Sequence, residues 1–208
     1  MADIVRATRA DVYALADVLA DAYEDDPIWE WLVPRERVPR LRRFFRDVLA
    51  MQADRGRLWT DIDRTVAAVW CPPGEWKVGV GDIVRNIPVL VRTGRTRLPL
   101  LLGMLQHMES KHPVEPEHWY LEFIGTHSSA RGTGRGALVL SALLEQADAS
   151  GQPAYLESSN ERNLTFYKRH GFALREEMTY RSSPPMWRMW REATTETPEK
   201  PATETPEN

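Results

Sequence analysis

The chain has 208 residues, 42% of them hydrophobic and 27% charged, which is typical of a globular protein rather than a disordered one. A formal net charge of −3 gives no general attraction to nucleic acid, so no nucleic-acid partner is expected. The single cysteine, Cys71, excludes an internal disulfide and is expected to be a buried thiol. We find neither a membrane-length apolar run nor a signal peptide, and therefore expect a cytoplasmic protein without a membrane partner.

The first quarter of the chain predicts one strand and two helices. Residues 4–7 are short and apolar enough for a strand, and Thr8 is a candidate N-cap for a helix over 9–23. Residues 24–31 are acidic, aromatic and interrupted by proline, and they predict a loop or short turn. A second helix is predicted over 36–55, with a basic face in solvent. That face carries Arg40, Arg42, Arg43 and Arg46.

A hairpin and a long helical segment follow. Strands over 58–62 and 65–71 are separated by a tight turn, which predicts an antiparallel pair. Residues 75–116 contain two predicted helices, over 80–92 and 98–112. The second of these helices is expected to bury one apolar stripe. The stripe is formed by Leu101, Leu102, Leu105 and Met108.

A glycine-rich turn lies between the next strand and helix. An aromatic and β-branched run over 119–126 predicts a buried strand, and the apolar spacing after the turn predicts a helix. Gly132, Gly134 and Gly136 leave no side chains in the way of a ligand. The first helical turn presents free N–H groups at the positive end of a dipole. This order of elements predicts a pyrophosphate site.

The last quarter predicts three strands, a helix and a disordered tail. A strand over 154–158 precedes a helix over 161–170, and alternating patterns predict final strands over 172–180 and 186–190. The tail, 193–208, contains a repeat of Thr, Glu and Pro that has no apolar content to bury, so disorder is expected there.

The glycine spacing distinguishes between the common phosphate-binding motifs. The dinucleotide motif G-x-G-x-x-G and the P-loop G-x-x-x-x-G-K-[ST] are both absent. Arg131-x-x-Gly134-x-Gly136 instead matches [QR]-x-x-G-x-[GA], the phosphate loop of acetyl-CoA-dependent acetyltransferases of the GNAT superfamily.

A second motif strengthens this resemblance. Asn160 is followed seven residues later by Tyr167 and then by Gly171-Phe172, which resembles the second signature of the same superfamily. Two motifs in this order, separated by a helix and a strand, are much more specific than one glycine loop.

The resemblance implies a fold and a domain organisation. We expect an α/β GNAT fold, with a twisted mixed sheet of six to seven strands and helices on both faces. One domain would occupy residues 1–192, with a helical insert over 75–116. The strands over 119–126 and 154–158 would splay apart to admit a thioester.

The resemblance also assigns acetyl-CoA as cosubstrate. The pyrophosphate would lie on the glycine loop, and the end of the central strand would bind the pantetheine arm and polarise the thioester carbonyl. Asn160 would contact the pantetheine, or would only cap its helix. No metal is expected, because no paired ligand spacing is present. The expected cofactor-binding residues are Ile124, Gly125, Thr126, Arg131, Gly132, Thr133, Gly134, Arg135, Gly136, Ala137 and Asn160.

Two residues are predicted to be catalytic. The second signature makes Tyr167 the expected general acid, since a phenol is protonated at neutral pH and can donate to a thiolate; otherwise Tyr167 is a half-buried core residue. Glu122 is a carboxylate inside an apolar strand, which is costly unless paired or functional, and it is the expected base. Glu157, His118, His127 and water remain alternatives.

The acceptor is expected to be a small amine. Residues 119–122, 155–159 and 162–167 resemble the puromycin N-acetyltransferase-like branch, which suggests an antibiotic or another metabolite. The insert would set specificity, or would only pack on the sheet or form a dimer face. Protein N-terminal or lysine acetylation and a non-catalytic acyl-CoA-binding module are the other functions considered. Both a monomer and a homodimer are compatible with the sequence.

Overall fold

The computed structural model describes residues 4–77 and 80–194, without the side chains of residues 80–86. Seven strands form one mixed sheet, which confirms the predicted fold class. They are β1 (Ile4–Arg6), β2 (Leu58–Asp61), β3 (Val66–Cys71), β4 (Trp119–Thr126), β5 (Ala154–Ser158), β6 (Ala173–Met178) and β7 (Met186–Arg191). They lie in the order β1-β2-β3-β4-β5-β7-β6, and β4 with β5 is the one parallel pair in the described sheet.

Helices cover both faces of the sheet. They are α1 (Val12–Ala22), α2 (Pro27–Leu32), α3 (Arg37–Asp54), α4 (Val80–Gly94), α5 (Leu98–Lys111), α6 (Arg135–Ala149) and α7 (Leu164–Arg169), with short 3₁₀ turns at Arg95–Arg97, Ser128–Ala130 and Glu161–Asn163. Helices α1 to α5 contribute to one hydrophobic core, while α6 and α7 contribute to the other. None of the helices in the described ranges is long and apolar enough to cross a bilayer.

Strand β3 lies between the two cores. All six of its residues are buried, and they alternate between the faces, as side chains of a strand must. Cys71 points to the core formed with α1 and α3, and its thiol is buried as predicted. Since both faces are covered, the strand is continuously hydrophobic rather than alternating.

The parallel pair of strands separates halfway along its length. Pairing between β4 and β5 begins at Trp119 with Ala154 and ends at Leu121 with Leu156. The rest of β4, from Phe123 to Thr126, is paired on its other edge by β3 alone. The predicted splay is therefore present, and it opens a cleft at the centre of the sheet.

A β-bulge lies where the splay begins. Val69 pairs with Phe123 and Trp70 pairs with Leu121, which leaves Glu122 as the extra residue of β4. A bulge bends its strand and redirects its side chains. The bend therefore coincides with the divergence of β4 from β5.

The predicted loop over residues 24–31 is wrong, because most of this segment is helix α2. Asp26 caps the helix, and its Oδ1 accepts from the N–H groups of Ile28 and Trp29 at 3.0 and 3.1 Å. Pro27 occupies the first helical position, where its missing N–H costs nothing. The proline that suggested a break instead starts a helix.

Two predicted helix faces are also corrected. Arg40 was expected in solvent, yet it is only 7% exposed, because α4 packs on α3 at that point. On α5 the buried positions are Leu101 and Met104, whereas Leu102 and Leu105 are exposed. Helix α5 is apolar around much of its circumference, so periodicity alone does not select the face that packs.

The tail predicted to be disordered falls mainly outside the described residues, since residues 195–208 are not described. The described part ends in a contact: the backbone N–H of Thr194 donates to Asp148 Oδ1 at 2.7 Å. The predicted domain boundary at residue 192 stays a prediction.

Candidate active site

A cleft of about 590 Å³ lies where β4 and β5 part. Its walls are the end of β4, the glycine loop, the start of α6, the segment after β5, α7 and the connection from α1 to α2. It brings together most of the predicted site residues. These are Ile124, Gly125, Thr126, Arg131, Gly132, Gly134, Arg135, Gly136, Ala137, Asn160 and Tyr167. Thr133 and Glu122 do not line it.

The glycine loop has a backbone conformation and a bare surface that suit an anion. Gly132 and Gly134 have φ angles of +78° and +84°, which side chains disfavour, and a Cβ at either position would meet no atom within 4 Å. The first hydrogen bond of α6 runs from Leu138 N to Gly134 O at 3.0 Å. The N–H groups of the first helical turn are therefore free to bind a pyrophosphate.

The loop approaches the end of β4 closely. A Cβ on Gly136 would lie 2.7 Å from Thr126 Oγ1, so a larger residue would push the helix away from the strand. This contact places the N-terminus of α6 directly beside the unpaired edge of β4.

The two arginines of the loop, Arg131 and Arg135, bind other groups of the protein and so stabilise the loop. They do not offer an unpaired positive charge to a ligand. Arg131 Nη2 donates to the carbonyl of Asp21 at 3.1 Å, and the Asp21 carboxylate accepts from Ser128 N at 2.6 Å. Arg135 forms ion pairs with Asp61 at 2.6 Å and with Asp63 at 2.5 Å. A bound pyrophosphate would therefore depend mainly on backbone N–H groups. No sequence pattern pointed to Asp21, which is distant from the loop in the chain.

Tyr167 faces the cleft from α7. Its side chain is 7% exposed, and among the residues that the structure describes no group hydrogen bonds to its hydroxyl. Burial raises the pKa of the phenol above its usual value, and the nearby Asp26 raises it further. The hydroxyl is therefore protonated, and its proton is available to a group in the cleft.

Asp26 joins the two sides of the cleft mouth. One carboxylate oxygen caps α2, and the other accepts a hydrogen bond from Ser159, just after β5. Burial raises the pKa of Asp26 to about 6. The Asp-Pro pair was the available sequence signal for the cap, but nothing in the sequence placed Asp26 beside Ser159 and Tyr167.

Glu122 lies on the α3 side of the sheet. Gln52 Nε2 donates to its Oε2 at 2.6 Å, and Cys71 Sγ lies 3.8 Å from the same oxygen. Burial raises the pKa of Glu122 to about 7, against the opposing effect of Arg57. The carboxyl is therefore poised between its two protonation states near neutral pH.

Glu157 differs from Glu122 because it lines the cleft. The Tyr155 hydroxyl donates to its Oε1 at 2.9 Å, and His112 Nδ1 lies 3.6 Å from the same oxygen. Both side chains of this His–Glu pair are almost fully buried. His112 directly follows α5, so the pair connects the predicted insert to the wall of the cleft.

The neighbouring His118 fixes how His112 is protonated. His118 Nδ1 lies 2.8 Å from Pro116 O and must donate, which leaves its Nε2 to accept from His112 Nε2 at 3.0 Å. Burial lowers the pKa of His118, which favours this neutral form. His112 Nε2 therefore carries the hydrogen of this contact, while its Nδ1 lies on the side of the Glu157 carboxylate. His112 was missed from the sequence.

The remaining candidates have local structural partners. His118 is only 1% exposed and does not line the cleft. His127 Nδ1 lies 2.8 Å from Ser129 Oγ and caps a 3₁₀ turn. Asn160 Oδ1 accepts from Arg162 N at 3.1 Å, so its alternative role as an N-cap is present while it also lines the cleft. Within the described ranges, no group of three or more His, Cys, Asp or Glu side chains could hold a metal.

Three solved structures are similar to this chain. One, described as histone acetyltransferase HPA2 and related acetyltransferase from Corynebacterium glutamicum, is 25% identical, with a TM-score of 0.68 over 93% of this chain and 97% of that one. The mosquito arylalkylamine N-acetyltransferase like 5b is 12% identical, with a TM-score of 0.58 over 91% and 100%. The NatC complex bound to Gag peptide and CoA is 11% identical, with a TM-score of 0.54 over 92% and 98%. The last two indicate the fold alone.

The sequence model of the Acetyltransferase (GNAT) family matches residues 21–172, from the end of α1 to the glycine-phenylalanine pair after α7. This span contains the splayed strands, the glycine loop and Tyr167. The chain therefore belongs to the GNAT acetyltransferase family.

Proposed function

We propose that this protein transfers the acetyl group of acetyl-CoA to the amine of a small molecule. One observation carries the proposal: the cleft places a bare glycine loop with free N–H groups and an unpartnered tyrosine hydroxyl in the same 590 Å³ space. A phosphate site and a proton donor in one cleft are what thioester aminolysis with CoA requires.

The residues present fit acetyl-CoA. The N–H groups around Gly134 would hold the pyrophosphate, and the edge of β4 from Ile124 to Thr126, unpaired towards β5, would bind the pantetheine arm as a strand would. Acetyl-CoA supplies the acetyl group as an activated thioester. A backbone N–H on this β4 edge would stabilise the charge that develops on the carbonyl oxygen.

Glu122 and Tyr167 would transfer the protons of the reaction. Glu122, with a pKa of about 7, takes a proton from the acceptor ammonium, through water because the carboxylate does not line the cleft. The free amine attacks the carbonyl carbon, and the C–S bond breaks. Tyr167 donates its phenolic proton to the departing sulfur, and the proton that the newly bonded nitrogen loses returns to the phenolate. Glu157 is the alternative base, although its Oε1 already accepts a hydrogen bond from the Tyr155 hydroxyl.

The acceptor class rests on the insert, residues 75–116. Helix α5 contacts the loop after β6, where Tyr180 fills the space of the missing Cβ of Gly103, and His112 reaches the cleft wall at Glu157. A wall of this kind favours a small amine, such as an antibiotic or another metabolite of the puromycin N-acetyltransferase type.

We propose a cytoplasmic enzyme that acts as a monomer or homodimer.

A protein N-terminus is the second candidate acceptor. The fold is shared with the NatC complex, which binds Gag peptide, as well as with an arylalkylamine enzyme. Both classes of acceptor present an amine to the same cleft, and the extent of closure by the insert would discriminate between them.

Thiol release from acetyl-CoA tests the proposal directly. Puromycin, aminoglycosides, polyamines, amino acids and short peptides would be offered to the wild type, to Tyr167→Phe and to Tyr13→Phe, whose tyrosine is 63% exposed on α1. We expect turnover of one small amine, a loss in kcat of about 100-fold or more in Tyr167→Phe, and little change in Tyr13→Phe.

Other outcomes would change the assignment. Turnover of peptides alone would show that the enzyme acetylates proteins and would contradict the hypothesis of a small-molecule acceptor. Tight acetyl-CoA binding without turnover of any amine would favour a non-catalytic acyl-CoA-binding module. Equal kcat in the wild type and Tyr167→Phe would remove the tyrosine as the acid while leaving the reaction in place.

A further inference from the structure

A second cavity, here called the arginine pocket, lies between α1, α3 and α4. Its volume is about 440 Å³, and none of its described lining residues also lines the cleft at the splayed strands. Among the lining residues that the structure describes, Asp47 is the one acidic residue and six are arginines: Arg9, Arg40, Arg43, Arg46, Arg92 and Arg95. Such a concentration of positive charge is unexpected in a chain whose net charge is −3.

Two of the six arginines have carboxylate partners. Arg9 pairs with Asp54 at 2.5 Å, and Arg95 pairs with Glu36 at 3.2 Å. The other four form no ion pair within 4.0 Å among the side chains that the structure describes. They are Arg40, Arg43, Arg46 and Arg92, contributed by α3 and α4. The described side chains therefore leave much of the positive charge of the pocket unpaired.

Arg40 is the buried member of this group. It is only 7% exposed, and its guanidinium donates to the backbone carbonyls of Arg35 and Thr93, while its Nε has no partner. Burial lowers the pKa of Arg40, and the proximity of Arg95 lowers it further. A buried guanidinium without a carboxylate is costly, and an anion in the pocket would offset that cost.

We propose that the arginine pocket binds a small polyanion carrying two or more phosphate groups. Guanidinium groups bind phosphate oxygens through paired N–H donors, and here they come from two facing helices. The volume suits a compact ligand. Positive charge gathered in one pocket, on a protein with net negative charge, does not suit the extended backbone of a nucleic acid.

Binding there would join two parts of the molecule. Arg43 belongs to α3 and Arg92 to α4, the first helix of the insert. One ligand held by both would fasten the insert to the rest of the domain. The site lies apart from the acetyl-transfer cleft, so the proposal does not depend on the identity of the acceptor.

Calorimetric titration of the full chain with sodium tripolyphosphate tests this site. Saturating CoA is included, because the glycine loop could also bind phosphates. We expect one saturable site, with inorganic phosphate binding at least about tenfold more weakly. The double variant Arg43→Gln/Arg92→Gln should bind tripolyphosphate at least about tenfold more weakly than wild type. Both arginines are exposed, so the substitutions should leave the fold intact.

Arg42→Gln is the matched control. Arg42 is adjacent in α3 but pairs with Asp17 and does not line the pocket, so its loss should leave the affinity unchanged. Equal affinity of the wild type and the double variant would overturn the proposal. So would binding that disappears when CoA is present and that, without CoA, is equally tight in the double variant. This result would place the polyanion on the glycine loop and leave the proposed acetyl transfer untouched. Tighter binding of a single-stranded oligonucleotide would overturn the choice of a small ligand.

Discussion

Glu122 is the residue whose burial bears most directly on the proposed chemistry, because burial raises the pKa of its carboxyl group. It is the extra residue of a β-bulge, partly buried, and it is held by Gln52 on α3. Its carboxyl pKa of about 7 lies above the ordinary value of 4.5, because burial disfavours the charged form. A group with these properties affects both folding stability and acid–base catalysis.

The stability of the protein should fall as pH rises through the range set by Glu122. The folded-state pKa is the higher one, so the contribution is fully present below about pH 4.5 and is lost as pH rises through about 7. The shift corresponds to roughly 3 kcal/mol at most. Urea unfolding at several pH values should show this fall in the wild type and in Glu145→Gln, an exposed substitution, but not in Glu122→Gln.

The same substitution addresses the base. A base must be ionised to act, so kcat/KM should rise with pH through about 7 in the wild type and lose this rise in Glu122→Gln. An unchanged pH profile in the variant would transfer the role to Glu157 or to water, whether or not the stability prediction holds.

The sequence identified some residues of the candidate site but not others. Tyr167 and the glycines were identified because each belongs to a motif with fixed spacing. Asp26 and His112 were not, because their significance comes from partners 133 and 45 residues away, namely Ser159 and Glu157. Polar contacts between segments that are distant in the chain produce no periodic pattern in the sequence.

The glycine loop is the element on which cosubstrate binding should depend. Gly134→Glu should weaken acetyl-CoA binding at least about 100-fold, since it places a carboxylate where the pyrophosphate is expected. Gly151→Glu is the matched control, because Gly151 also has a positive φ, +66°, and open space around its Cβ, but lies beyond the other end of α6. Equal loss of affinity in both folded variants would mean that backbone strain rather than charge is responsible.

Strand β4 and helix α1 pack through a glycine. A Cβ on Gly125 would lie 2.6 Å from Ala22 Cβ and 2.9 Å from Leu19 Cδ2. Gly125→Ala should therefore destabilise the protein by about 1–3 kcal/mol, because helix and strand must separate.

A double-mutant cycle isolates this contact. Ala22→Gly opens space opposite the new methyl group, so the double variant should be more stable in urea than the sum of the two single effects predicts. Strictly additive effects would show that the strain of Gly125→Ala is relieved elsewhere.

At the scale of elements, the sequence was most reliable where one pattern dominated. The limits of β4 and β5 agree with the prediction to the residue, because short apolar runs bounded by turn residues have few alternatives. Helix α2 was missed, since a capped helix of six residues is too short to establish a period. The exposed faces of α3 and α5 were misassigned because packing partners, not propensity, selected them.

At the scale of the whole molecule, the chain beyond residue 194 is expected to be dispensable. A protein ending at residue 194 should retain the wild-type kcat/KM and unfolding free energy, since the removed residues include no large apolar side chain. A protein ending at residue 191 should lose about 1 kcal/mol, because the Thr194–Asp148 hydrogen bond is removed. Reduced activity of the longer variant, measured by thiol release, would contradict the prediction.

The sequence by itself determined the fold class, the order of the elements and the two motifs that define the family. These features are local, because hydrophobic periodicity, turn residues and motif spacings each depend on residues that are close together in the chain. Only the tertiary structure decided which face of each helix is buried, that Glu122 lies behind the cleft while Glu157 lines it, and that four arginines with no ion pair to any described side chain line one pocket. These features depend on how β4 and β5 diverge and how the insert packs on α3, which bring together side chains that are far apart in sequence.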